Sequence, residues 1–291
     1  MLSKKNNSKE KVACVLCNSY YPDEVADAVF KALELIDASD ALSEKGSVLI
    51  KPNLCLPEKP EKAITTHPEI VKQVVLWCNQ YNKNIIVGDC PVGDADRTRI
   101  DSIWRTSGLE SALSDTNYIR SFLENELVEF KCDVNDKQCV YFMSQELLDI
   151  KTIINIPKFK THSLMTYTGA VKNLYGLLPG NTKKKLHSQF PKKRDFATLL
   201  INLYQHMKPA INIVDAVVSL EGDGPGSAGH PRSLKLIMAG KNAVAVDMVA
   251  AKIMNISSES IPTNAVAMEK GILTEEDIVI VGEDINRFVQ T

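Results

Sequence analysis

The chain has 291 residues, 44% of them apolar and 24% charged, a balance that supports a packed core and excludes a disordered chain. A formal net charge of −2 gives no whole-molecule field to steer it toward nucleic acid or a membrane, so electrostatic recognition has to be local. Seven scattered cysteines, an odd number, fit a reducing compartment better than a disulfide framework, and the cytoplasm is the expected location.

The first ten residues, MLSKKNNSKE, are polar and lack the apolar stretch of a signal peptide, so a flexible leader is expected ahead of an α/β domain over residues 11–291, built as one body or two lobes. No run approaches the roughly 18 apolar residues of a spanning helix. Short Val- and Ile-rich runs predict strands at Val12–Leu16, Val48–Lys51, Ile85–Gly88, Thr152–Ile156, Ile211–Val214 and Leu234–Met238. Helical patterns fall between them, at Pro22–Ile36, Pro68–Tyr81, Ile100–Ser114, Phe196–His206 and Ala243–Met254. In the second, Ile70, Val71, Val74, Val75 and Cys78 make one buried face. The alternation predicts a mainly parallel sheet covered by helices. Residues 117–142 break the rhythm with alternating stretches such as LVEFKCDV and KQCVYFM, which predict a small β-hairpin insertion.

Cys14 and Cys17 have a chelating spacing, but residues three apart on a strand point to opposite faces and do not close on one metal. No further closely spaced cysteines complete a four-thiolate cluster, so an iron–sulfur centre has no support. Cys132 and Cys139 face each other if Asn135-Asp136 form a two-residue turn, as two reduced thiols or as a reactive pair.

Open α/β sheets place ligands beyond the carboxyl ends of their strands, and polar groups gather there: Lys51-Pro52-Asn53, Asp89, Lys158 to His162, and Asp215. The densest constellation is KFKTHSLMTYTGAVKNLYGLLPGNTKKKLH, Lys158 to His187, with six lysines, two histidines and no acid. Such a stretch favours a small anion, carboxylate or phosphate; nucleic acid calls for a broader basic surface with interleaved aromatics. Thr168 to Lys172 reads as a helix entry whose free N–H groups would reinforce anion binding. The Walker spacing is absent. His67, with Thr66 before it and Pro68 after it, either caps a helix or belongs to the site. His206, at the end of its helix, is read as facing the helix dipole rather than as a site residue. Glu221 and Asp223 lie in a Gly- and Pro-rich loop, either a plain turn or a holder for a divalent cation. Asp247 interrupts an apolar helix and needs a partner, for which a lysine would suffice.

In order along the chain, KPNL (from Lys51), TTHPE (from Thr65), Gly88-Asp89, IPKFKTH (from Ile156), GAVKNLYGLLPG (from Gly169), His187, VDAVVSLEGDGP (from Val214) and Asp247 resemble the DUF362 family, a domain of unknown function. Some members carry an added ferredoxin-like cluster domain, whose cysteine runs this chain lacks. The segment from His162 through Gly169-Ala170-Val171-Lys172 and Pro179-Gly180 to His187 is more distantly similar to the nickel-pincer lactate racemases. That likeness implies a proton-transferring role for His162, a cofactor-tethering lysine in Lys172 and a metal ligand in His187. TTHPE is only loosely like the racemases' DHTRP motif, and Asp89 stands where they have a second histidine, so a site is implied rather than racemase activity.

Two classes of function follow. In an enzyme, His162, Lys172 and Asp89 are the expected catalytic residues, and Lys51, Asn53, Thr66, His67, Lys158, Lys160 and Asn173 hold a small anionic substrate. His187, Asp215, Glu221 and Asp223 are then candidate ligands for a divalent metal. In a binding protein associated with a ligand, a metallocofactor or electron transfer, the same residues hold their ligand without turnover.

Overall fold

Strand β1 (Glu10–Leu16) is buried on both sides: Val12 and Cys14 enter one apolar layer, Ala13 and Val15 the other. This is the pattern of a strand inside a sheet that helices cover on both faces. The chain is described by a computed structural model over residues 9–81, 83–91, 93 and 97–289. Of the leader expected over residues 1–10, residues 1–8 lie outside the described ones, and Glu10 already lies in a strand.

The remaining strands are β2 (Ser47–Pro52), β3 (Asn84–Gly88), β4 (Ile119–Ser121), β5 (Leu127–Val134), β6 (Lys137–Ser144), β7 (Ile150–Ile156), β8 (Lys158–His162), β9 (Thr166–Tyr167), β10 (Ile211–Gly222), β11 (Gly229–Gly240) and β12 (Ile278–Gly282). Ten of them form one sheet in the order β12-β1-β11-β10-β7-β2-β3-β4, with β8 joined to β10 and β9 to β8. The run from β10 through β7, β2 and β3 to β4 is parallel, whereas β11 is antiparallel to both β1 and β10. The fold is α/β with a mixed, mainly parallel sheet, and β5 and β6 form a separate hairpin.

The helices are α1 (Pro22–Leu35), α2 (Pro68–Asn79), α3 (Arg97–Thr106), α4 (Leu109–Ala112), α5 (Gly169–Asn173), α6 (Gly180–Gln189), α7 (Lys193–Met207), α8 (Ala243–Ile253) and α9 (Pro262–Glu269). Apolar residues of α1 to α4 pack in one layer, and those of α5 to α9 in the other with the inner face of the hairpin. No helix among the described residues is long and apolar enough to cross a membrane.

Several elements depart from their predicted bounds. The helix expected over Ile100–Ser114 breaks into α3 and α4, because Gly108 takes a left-handed conformation (φ 79°) between them. Within the expected insertion, Ile119–Ser121 pairs with β3 at the edge of the main sheet, and the hairpin proper ends at Ser144. Lys158 to His162, read as a strand-end loop, is a strand of its own after Pro157. Asp215 is likewise inside β10, which runs on for twelve residues.

Cys14 and Cys17 sit in opposite apolar layers, as strand geometry requires, and burial pushes both thiols up to about 12. Asp247, the acid of the otherwise apolar α8, finds no lysine. Its carboxylate accepts hydrogen bonds from Ala170 N (2.6 Å) and Val171 N (3.0 Å), the first amides of α5. The helix entry expected to receive an external anion therefore already holds one of the protein's own. Gly169 makes the approach possible: its φ is +57°, and a Cβ there would lie 2.5 Å from Asp247 Oδ1.

Burial pushes the Asp247 carboxyl up to about 7, against the opposing pull of the two amides. The folded protein thus binds this proton more tightly than the unfolded chain, whose aspartates titrate near ~3.9. The resulting stabilisation is complete below that value and is lost as pH rises through about 7. Urea unfolding between those limits should show the wild type losing stability relative to Asp247→Asn as pH rises; parallel curves would contradict this account.

Candidate functional site

Because β2, β3 and β7 are parallel neighbours, their carboxyl ends open on one edge of the sheet. Lys51 is next to last in β2, Asn53 follows the strand, and Asp89 follows β3. Lys51 stands beside Asn155 of β7 in the sheet register, and Asn155 beside Asn212 of β10. Asn155 Nδ2 donates to Asn212 Oδ1 and to Ala170 O, both at 2.9 Å. Asn173 Nδ2 donates to Asn155 Oδ1 (2.8 Å), Asn53 Nδ2 to Asn173 Oδ1 (2.8 Å), and Lys160 Nζ to Asn53 Oδ1 (2.8 Å). This line of amides crosses from β10 to β8 and ends on a buried ammonium, which also donates to Ile64 O (2.7 Å). Burial lowers the Lys160 pKa.

A cavity of about 320 Å³ opens beside the line. Seven of the residues singled out from sequence reach it: Asn53, Asp89, Lys160, His162, Lys172, Asn173 and His187. Lys183, Lys184, Thr168, Cys55, Cys90 and Tyr175 line it too. Lys183 and Lys184 belong to the basic run seen in the sequence, whereas Cys55, Cys90 and Tyr175 have no spacing signal that would select them.

Each ionisable group has its own setting. Lys51 and Asp89 form a buried ion pair (Nζ to Oδ1, 2.7 Å), and Asp89 Oδ2 accepts from Leu54 N at 2.7 Å. Burial raises the Asp89 pKa and lowers that of Lys51, each opposed by its partner. The Gly176 backbone lies against this pair, and a Cβ there would stand 2.0 Å from Asp89 Oδ1. Lys183 donates to Cys90 O and to Pro91 O.

Lys172 differs from these lysines: among the described residues its ammonium has no hydrogen-bond or ion-pair partner. Burial, then the charge of Lys160, lowers it to about 8. His162 Nδ1 accepts from Leu164 N (3.1 Å) and Met165 N (3.3 Å), which leaves its proton on Nε2. Burial and the nearby lysines Lys172 and Lys160 lower its pKa to about 2, so the ring is neutral. His187 is on α6 at the mouth, stacked on Phe196 and edge-on to Tyr175, and burial followed by Lys172 lowers its pKa. The Thr168 hydroxyl is buried with no partner among the described residues.

The other selected residues lie apart from the cavity. Thr66 Oγ1 donates to Ile156 O (2.6 Å) and accepts from Asn53 N (2.8 Å), so it braces the wall from behind. Lys158, Asp215 and Tyr20 form a closed cluster: Lys158 Nζ donates to Asp215 Oδ2 (2.8 Å) and Tyr20 Oη (2.9 Å), and Tyr20 Oη donates to Asp215 Oδ1 (2.7 Å). His67 donates its backbone N–H to Asp215, stacks on Tyr20 at 3.6 Å and caps α2, its Nδ1 accepting from Glu69 N. It is thus the N-cap of α2. His206, left outside the site, lies edge-on to Phe130.

Glu221, expected in a loop, lies in the last rungs of the ladder between β10 and β11 and pairs with Arg232 (2.8 Å) at the surface; Asp223 is exposed in the connection after β10, which turns Pro225 toward the cavity. The four candidate metal residues are therefore not brought together. Among the described residues, no three of His, Cys, Asp and Glu are grouped as a metal would need. Four lysines, Lys160, Lys172, Lys183 and Lys184, face the cavity with a neutral His162 imidazole and a carboxylate already paired with Lys51, so among the described residues its wall is basic.

Residues 48–252 match the sequence profile of the domain of unknown function DUF362. A thylakoid-associated protein of Synechocystis, sll1697, is 29% identical over 230 residues, covering 77% of this chain and 68% of that protein. In structure the chain is similar to the lactate racemase apoprotein of Thermoanaerobacterium thermosaccharolyticum, with a TM-score of 0.50 and 13% identity over 81% of this chain. It spans 54% of the racemase, and at that identity the likeness is one of fold.

The Lys51–Asp89 pair can be tested by unbalancing it. Lys51→Met should cost about 3–5 kcal/mol of unfolding free energy, since it strands a buried carboxylate. Adding Asp89→Asn, which keeps an acceptor for Leu54 N, should restore more than half of the loss in denaturant titrations. A double variant no more stable than Lys51→Met would show that charge pairing is not what the two share.

Proposed function

The chain belongs to the DUF362 family, whose name assigns no activity, and we propose that it is an enzyme that binds a small organic anion in this cavity and moves a proton on it. The observation that carries the reading is Lys172: a cation on the cavity wall, without a partner among the described residues, beside the buried ammonium of Lys160. A carboxylate or phosphate oxygen is the partner that such a group lacks. Leu54, Leu164, Tyr175 and Pro225 in the same wall favour an anion carried on an apolar body.

The roles differ from those drawn from sequence. The neutral His162, with Nδ1 occupied by two amides, offers an Nε2–H bond and serves as a donor to a developing oxyanion, not as a base. Asp89 is engaged by Lys51 and Leu54 N, so it orders the wall. Lys172, lowered to about 8, is the group able to give or take a proton near neutral pH. Asn53 and Asn173 spend their amides on the scaffold that holds Lys160. No step is routed through a metal, because the donors expected to hold one do not converge; His187 and His162 Nε2 are the imidazole nitrogens that border the cavity.

A second reading, a carrier that binds the same anion without turnover, draws support from Asp89, the carboxylate that lines the wall among the described residues, being already paired. Lactate, in the name of the structurally similar racemase, is a small carboxylate acted on by that protein; here the ligand class rests on the cavity's own residues. The cytoplasm remains the proposed compartment, supported by seven free cysteines, while thylakoid association is a property named for the Synechocystis relative.

Calorimetric titration with a panel of small carboxylates and phosphate esters should find binding that Lys172→Met weakens roughly ten- to hundredfold, the loss of about one charged hydrogen bond, with the thermal melt unchanged. Equal affinity in the variant would end the assignment. Binding needs the ammonium, so wild-type affinity should hold below about pH 8 and decline above it. Solvent deuterium appearing in the bound anion, slowed in His162→Gln, distinguishes the enzyme from a carrier, which would show none.

A further inference from the structure

Outside the cavity, the β5–β6 hairpin brings two thiols together. The register pairs Cys132 directly with Cys139, two residues back from the Asn135-Asp136 turn on each strand. Directly opposed residues of an antiparallel ladder place their side chains on one face with Cα atoms about 4.5–5.5 Å apart, inside the roughly 4.4–6.8 Å range of disulfides. Cys132 is half-buried, and Cys139, opposite it across the ladder, is fully buried. Asn202 of α7 donates its amide to Asp133 O at 2.7 Å, which ties this strand to the helix. The other cysteines have no such arrangement: Cys14, Cys17, Cys78 and Cys90 are buried, and Cys55 lines the cavity.

We propose that Cys132 and Cys139 are a dithiol–disulfide site that exchanges with small-molecule disulfides of the glutathione class. The outer thiol, Cys132, attacks the disulfide RSSR as a thiolate and releases one RS⁻, which takes a proton and leaves as RSH. The inner thiol, Cys139, then attacks the Cys132 sulfur of the mixed disulfide, gives up its proton and expels the second RSH. The balance is two protein thiols plus RSSR to one protein disulfide plus two RSH, with two electrons passing to the small molecule. The geometry sets the order, since only Cys132 has exposed surface and Cys139 is within reach of it alone. The proximity of the two thiols supports the same order: the neighbouring Cys139 lowers Cys132 to about 7, while Cys132 and burial raise Cys139. A reversible pair of this kind is compatible with a reducing compartment.

The test uses the full-length protein, equilibrated in mixtures of reduced and oxidised glutathione, quenched with acid, alkylated and mapped by mass spectrometry. The expected result is a Cys132–Cys139 disulfide that passes from mostly reduced to mostly oxidised over about a hundredfold span of the thiol–disulfide equilibrium ratio and reverts with dithiothreitol. Cys139→Ser should trap one glutathione on Cys132, whereas Cys132→Ser should leave Cys139 unmodified. Two alkylatable thiols at these positions in fully oxidised glutathione, or oxidation confined to Cys55, would overturn the proposal. Should a variant fail to fold, the mapping in the wild type decides alone.

Discussion

The fold's functional edge depends on one constraint: an ammonium buried behind a sheet must be given acceptors, or it will not stay there charged. Lys160 meets it through the line of amides from Asn53 to Asn212, each of which accepts a hydrogen bond from the member before it and donates one onward. Such a line is stable only when every member is satisfied, because a buried amide left unpaired costs about 1–3 kcal/mol. It therefore fixes the spacing of β10, β7, α5, β2 and β8 together. Lys158 meets the same constraint with Asp215 and Tyr20, and Lys51 with Asp89. Three of the buried lysines are thus parts of the frame. Lys172 faces the cavity with no hydrogen-bond or ion-pair partner among the described residues.

That division explains what the sequence discloses. Val- and Ile-rich runs show β1, β2, β3 and β7, and the spacing of Ile70, Val71, Val74, Val75 and Cys78 shows α2, because burial of apolar faces is a local property of the letters. β8 escapes the same reading. Lys158 and Lys160 sit at positions that face the interior, and only partners more than fifty residues away make those positions tolerable. α6 hides similarly, since Gly-Asn-Thr-Lys-Lys-Lys shows no apolar stripe.

The candidate site was legible as a neighbourhood more than as a set of roles. The basic stretch locates Lys160, His162, Lys172 and His187, which do meet around one cavity. Asn155 and Asn212, on which the frame turns, look like isolated polar residues in the runs TIINI and INIV. Asp215 and His67 attract attention by position, yet they close a cluster of their own with Tyr20. Glu221 at the end of β10 pairs with Arg232, and Asp223 in the connection after it is exposed. Distinguishing a structural charge from a receptive one requires knowing which partners are already taken, and that is decided by tertiary contacts.

The capping of α5 by Asp247 has an electrostatic consequence for the cavity. At about 1.5 Å of rise per residue, the five residues of α5 span only about 7.5 Å, with the acid bound at its start and Lys172 near its end. The positive terminus of the helix is spent on Asp247, inside the protein. The cavity therefore draws its positive charge from side chains, Lys172 and Lys160 first among them, and owes none of it to a free helix terminus.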